Sequence, residues 1–99
     1  VSNYSFYNCS QLTDVVAKNV KYVGQNAFAN CTQLVVVRME NLEKIGAKSF
    51  YNCPNLLELT FKCLVKIKND SFSRCTGLRS ITVSTELIAN LKTSNIDLE

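Results

Sequence analysis

A period of 22 residues runs through this chain and limits its fold more than any other feature, because a repeat of that length is one supersecondary unit that must stack on its neighbours. Phe6, Phe28, Phe50 and Phe72 mark the copies. Cys9/Cys31/Cys53/Cys75 and Leu12/Leu34/Leu56/Leu78 recur with them without exception. Four further columns stay apolar while the residue type drifts: Val15/Val37/Leu59/Ile81, Ala17/Met39/Phe61/Val83, Val20/Leu42/Leu64 and Val1/Val23/Ile45/Ile67. A small residue precedes each Phe, at Ser5, Ala27, Ser49 and Ser71.

These columns imply a local shape. Leu12-x-x-Val15-x-Ala17 and its copies end in the alternation of a half-buried strand. The pair in Leu42-x-x-Ile45, followed by Gly46, fits a second, shorter extended stretch closed by a turn. Ser2 and Lys68 stand in the glycine slot of other copies, so this turn does not require a positive φ. One repeat alone buries too little apolar surface to offset the entropy of ordering it. Stacked coils share a core and inter-strand hydrogen bonds. A length of 99 residues allows one small domain, and 46% apolar with 19% charged residues suits a globular rather than a disordered chain.

Ala27-Phe28-Ala29-Asn30-Cys31-Thr32-Gln33-Leu34-Val35-Val36-Val37 and its three sister segments resemble the AFxxCxxLxxI pattern of the BspA-like leucine-rich repeats, a subgroup of bacterial and protist surface proteins. Leu42-Glu43-Lys44-Ile45-Gly46 is similar to the same subgroup's LxxIG segment. Val20, Leu42 and Leu64 stand where the ordinary leucine-rich consensus has Asn or Cys, which points to the subgroup. Lys18, Glu40, Lys62 and Ser84 stand where the subgroup often has Pro.

The resemblance implies an α/β-type repeat solenoid, β-rich, a leucine-rich repeat stack with parallel strands over residues 1–83. Residues 84–99 are expected to form a C-terminal cap with a short helix. There, Ser84 and Thr85 offer an N-cap, and Leu87, Ile88 and Leu91 an apolar face. Val1 aligns with Val23 and Ile45, so the chain begins partway through a coil, and the expectation is the C-terminal fragment of a longer protein.

The inventory of reactive groups argues against catalysis. The chain has no His, so a Cys-His or Ser-His-Asp arrangement cannot form within it. Its 8 acidic residues show no recurring pair, and Gly24, Gly46 and Gly77 make no phosphate-binding loop. The expectation is a protein that is not an enzyme and carries no cofactor. A net charge of +3, spread along the sequence, does not suit a nucleic-acid partner. No apolar run is long enough for membrane insertion by this segment. Stacking sets the column cysteines about 4.8 Å apart, within disulfide reach, but they read as a ladder of buried thiols behaving as small hydrophobes. Zinc would need convergent ligands that this spacing does not supply. Cys63 lies off the ladder in the slot of Asn19 and Asn41, where a reactive or cross-linking thiol is the alternative to an incidental one.

Binding is left, and the strand residues between the inward positions show where it can occur. They form rows of Thr13/Val35/Leu57/Arg79, Asp14/Val36/Glu58/Ser80 and Val16/Arg38/Thr60/Thr82. Val16, Val35, Val36 and Leu57 are apolar amid charged neighbours, so the candidate protein-binding face is Val16, Val35, Val36, Arg38, Leu57, Glu58 and Thr60. Strand propensity alone is the competing explanation for the valines. The resemblance implies a cell-surface or extracellular module for adhesion or host interaction, with a host, neighbouring-cell or matrix protein as partner. An intracellular scaffold in the cytoplasm and a structural stalk are the alternatives.

Lys44 and Lys66 recur at one outward position, with Lys21 and Tyr22 nearby, as solvated lysines or as a site for anionic glycan. Asn3, Asn8, Asn30 and Asn69 each begin an N-glycosylation acceptor pattern.

Overall fold

The structure is a computed structural model that describes residues 1–63, 66–68 and 70–83. Two parallel sheets run up the coil stack. The first contains β1 (Asp14–Val16), β3 (Val36–Arg38), β5 (Glu58–Phe61) and β7 (Ser80–Val83), and the second contains β2 (Tyr22–Val23), β4 (Lys44–Ile45) and β6 (Lys66–Ile67). Every register step equals the sequence period: Val15 pairs with Val37, Val37 with Leu59, Leu59 with Ile81, and Val23 with Ile45 and then Ile67. Columns read along the sequence are therefore columns of touching residues in space.

Alternation in the strands follows the expected inward and outward sides. Val37, Met39, Leu59 and Phe61 are buried, while Arg38 is exposed and Val36, Glu58 and Thr60 are half-buried. The core is the sum of the apolar columns: Phe28, Phe50 and Phe72, Leu34, Leu56 and Leu78, Cys31, Cys53 and Cys75, with Val23, Leu42 and Ile45 closing the other side. The phenylalanine rings stack face to face, at centroid separations of 5.1 Å for Phe6–Phe28, 5.2 Å for Phe28–Phe50 and 5.5 Å for Phe50–Phe72, with planes within 8° of parallel. Coil spacing sets that offset-stacked geometry, and Phe61 leans against both Phe50 and Phe72 at 6.1 Å.

The third side of each coil, which carries the Phe and Cys, is a run of turns with its own hydrogen-bond ladder. Amides alternate in their partners. Those of Asn26, Phe28 and Asn30 donate to the carbonyls of Ala47, Ser49 and Tyr51 in the next coil, whereas those of Ala27, Ala29 and Cys31 turn back to Gly24, Asn26 and Phe28. The same pattern holds from Tyr4 to Cys9. Two residues per coil take a left-handed backbone to make this possible: Tyr4 and Asn8, Asn26 and Asn30, Lys48 and Asn52, Asp70 and Arg74, with φ between 55° and 64°. After glycine, Asn and Asp tolerate that conformation best. A left-handed residue at every fourth position stops this stretch from becoming a helix, and no helix occurs among the described residues. The short capping helix expected in 84–99 lies outside them, as do Leu64 and Asn69.

The glycine slot is explained by proximity and not by φ, since no glycine has a positive φ. A Cβ on Gly46 would sit 2.6 Å from the Gln25 amide nitrogen and 2.9 Å from the Gly24 carbonyl carbon, so the preceding coil approaches too closely there for a larger residue without a shift. Next to it, the small-residue column caps the turn: Ser49 Oγ donates to the Gly46 carbonyl at 2.7 Å and Ser71 Oγ to the Lys68 carbonyl at 2.6 Å, both buried.

The first coil has its core residues covered on one side only. Phe6 is 40% exposed, although its column mates Phe28 and Phe50 are at most 1% exposed. Truncation in the middle of the stack should therefore cost more than truncation at this end. Phe50→Ala is expected to lower the unfolding free energy by about 3–5 kcal/mol, and Phe6→Ala by distinctly less. Urea denaturation of the two variants, followed by circular dichroism, checks the difference.

Candidate protein-binding face

The outward rows of the first sheet carry the candidate residues, and backbone hydrogen bonds hold them side by side. The Leu57 amide donates to the Val35 carbonyl at 2.8 Å, and the Arg79 amide to the Leu57 carbonyl at 3.1 Å. Val36 pairs with Glu58, and Glu58 with Ser80, in the adjacent row. These two rows enclose a shallow groove of about 440 Å³ lined by Val35, Val36, Leu57, Glu58, Arg79 and Ser80. Leu57 is 38% exposed and stands next to the half-buried Val35.

Not all seven residues come together. Val16 pairs with Arg38, and Arg38 with Thr60, which sets it two residues along and one strand over from Val36. It lines a separate depression of about 310 Å³ at the first coil, with Val1, Phe6, Leu12 and Val15 among its walls. Arg38 borders the groove through its ion pair with Glu58 at 3.6 Å. Both partners are about half exposed, so the pair orders the rim more than it stabilises the fold. Thr60 stands beside Arg38, half-buried.

Arg79 and Ser80 line the groove but were not among the expected residues. Their register was readable from the 22-residue period. Centring the face on Val16, Val35, Val36 and Leu57 left them out.

The cysteine column does more than fill space. Cys31 Sγ donates to the Phe6 carbonyl at 3.2 Å, Cys53 Sγ to the Phe28 carbonyl at 3.2 Å and Cys75 Sγ to the Phe50 carbonyl at 3.1 Å. Each bond ties a coil to the one before it, and all five cysteines are thiols with no disulfide. Burial pushes the Cys31 thiol up from 9.0 to about 11. Cys53 is raised as well, first by its hydrogen bond with Cys75 and then by burial. Cys63 is exposed, with its sulfur 4.0 Å from Asn41 Oδ1. Among the described residues no group of three or more His, Cys, Asp or Glu is arranged to hold a metal ion, and no helix is long and apolar enough to cross a membrane.

Side-chain amides form a further ladder. Asn52 Nδ2 donates to Asn30 Oδ1 at 2.9 Å, and Asn3 Oδ1 accepts the Gln25 amide at 2.8 Å, so two of the glycosylation acceptor patterns have their Asn engaged with a neighbouring coil. Asn8 is exposed. On the second sheet Lys44 pairs in register with Tyr22 and Lys66, and Lys21 reaches Glu43 at 3.9 Å.

Parallel strands stepping by 22 residues, with a Leu column and a Phe-Cys turn in each coil, define a leucine-rich repeat protein. The family model described as BspA type Leucine rich repeat region (6 copies) matches residues 1–96, and the chain belongs to that family. No curated protein and no solved structure matches it significantly. Membership in a leucine-rich repeat family points to a protein-interaction module.

Two outcomes follow for the thiols. In the native protein at mildly alkaline pH a maleimide should label Cys63 promptly, and Cys31, Cys53 and Cys75 only on unfolding, as mass spectrometry of the labelled peptides will show. The stability held by the neutral Cys31 thiol is complete below pH 9.0 and is lost as pH rises towards about 11, because the unfolded thiol ionises first. Cys31→Ser keeps a donor that does not titrate in this range, so its urea midpoint should fall less steeply across the same interval than that of the parent.

Proposed function

We propose that the chain is a non-catalytic protein-binding module that docks a partner on the outward side of its first sheet, at Val35, Val36 and Leu57 with Arg38 and Glu58 on the rim. The observation that carries this reading is the Val35–Leu57 row, which offers contiguous apolar side chains to solvent in a groove of about 440 Å³. A solvated sheet with no partner gains nothing from an exposed leucine beside a valine. A docking site does, because removing that surface from water stabilises the complex. In this reading Val16 and Thr60 extend the face towards the first coil. The coil stack is a solenoid, residues 84–99 are its cap, and the partner is a host, neighbouring-cell or matrix protein met at the cell surface in adhesion.

A cytoplasmic scaffold is the second reading, and the thiols favour it, since cysteines not joined in disulfides suit a reducing compartment. That support is partial. Cys31, Cys53 and Cys75 are fully buried and out of reach of solvent oxidants, so only the exposed Cys63 and the half-buried Cys9 speak to the compartment.

The face is tested by Val36→Glu together with Leu57→Glu. Loss of attachment to host cells or matrix-coated surfaces, with an unchanged circular dichroism spectrum, is the expected result. A folded double variant that attaches as well as the parent removes this face as the docking site.

A further inference from the structure

We infer that the segment docking on this face is an extended strand carrying an apolar side chain and, two residues away, a carboxylate. The inference rests on the docking reading above and adds the chemistry of the partner. It starts from the charges along the groove. Glu58 is neutralised by Arg38 at 3.6 Å. Arg79, at the other end of the Val35–Leu57 row, is exposed and makes no ion pair with any described residue. The groove is thus apolar along one stretch and singly positive at its end, with the Ser80 side chain beside the arginine. A guanidinium presents a planar fork of donors that fits a carboxylate better than any other common protein anion.

Spacing supplies the second constraint. Val35, Leu57 and Arg79 each immediately precede a strand of the first sheet and are joined to one another by backbone hydrogen bonds, so their side chains stand about 4.8 Å apart. An apolar group seated over Val35 and Leu57 is then about 7 Å from one seated over Arg79. Residues two apart in an extended chain share a face and lie about 6.7 Å apart. A segment crossing the strands with an apolar residue at one position and Asp or Glu two positions on satisfies both contacts at once. A basic residue in that second position would meet the arginine with like charge.

The probes are three blocked peptides, leucine-serine-aspartate, leucine-serine-asparagine and leucine-serine-lysine, titrated at millimolar concentration into the isotopically labelled full chain at low salt. Amide shifts at Val35, Val36, Leu57 and Arg79 are the readout. The aspartate peptide should bind about two- to fivefold more tightly than the asparagine peptide, the gain of one exposed ion pair, and the lysine peptide should bind most weakly. Arg79→Glu should reverse the order of the aspartate and lysine peptides. If all three peptides shift these amides with equal affinity, the carboxylate preference is wrong and the apolar docking reading stands. If none shifts them, both readings fall.

Discussion

The carbonyl oxygen of Phe28 accepts two hydrogen bonds, one from the Cys31 amide in its own coil at 3.3 Å and one from the Cys53 thiol in the next coil at 3.2 Å. The Phe6 carbonyl is bonded in the same way by the Cys9 amide and the Cys31 thiol, and the Phe50 carbonyl accepts the Cys75 thiol. This shared acceptor fixes how far one coil can slide or rotate on another, and the rest of the stack depends on it. It sets the ring offset of the Phe column, the in-register pairing of both sheets and the alternating amides of the turn side. It also accounts for the sequence Phe-x-x-Cys. The three-residue turn brings the Cys amide back to the Phe carbonyl, and the side chain that follows in the next coil must be small enough to pack in the core and still donate. A thiol meets both demands, and a methyl group meets only the first.

Most of this frame was legible in the sequence because side-chain type repeats wherever a side chain enters the core. The Leu, Phe and Cys columns and the drifting Val15/Val37/Leu59/Ile81 column became the register of the sheets. The third hydrogen-bonded side was not legible. Its ladder is made by backbone amides, and its left-handed positions hold Tyr4, Asn26, Lys48 and Asp70 in one column, which share no chemistry a reader could align. The neighbouring column of Asn8, Asn30 and Asn52 did carry a signal, since Asn is, after glycine, the residue most at ease with positive φ. There it competed with a glycosylation pattern made of the same letters.

The candidate face shows the same division. That Val35, Val36 and Leu57 point outward and adjoin follows from the period. That Val16 lines a separate depression does not, because that depression reflects the one-sided covering of the first coil and not any residue type. Arg79 and Ser80 enter the groove through strand pairing, a property of position that composition does not reveal.

The same economy separates the constraints on folding from those on binding. Inward columns and turn amides fix the stack, so the outward rows of the first sheet are left without structural duty beyond strand propensity. Thr13, Val35, Leu57 and Arg79 occupy equivalent places and are a hydroxyl, two hydrocarbons and a guanidinium. If solvation alone shaped that row, the apolar members would have no reason to be consecutive, nor to be joined in the next row by Val36. A row whose register is rigidly set by backbone hydrogen bonds holds such side chains at fixed spacing without ordering them again on binding. That preorganisation is what a repeat stack contributes to recognition: the frame fixes distances of about 4.8 Å between neighbouring members of a row, and only the letters in the outward columns decide which partner those distances fit.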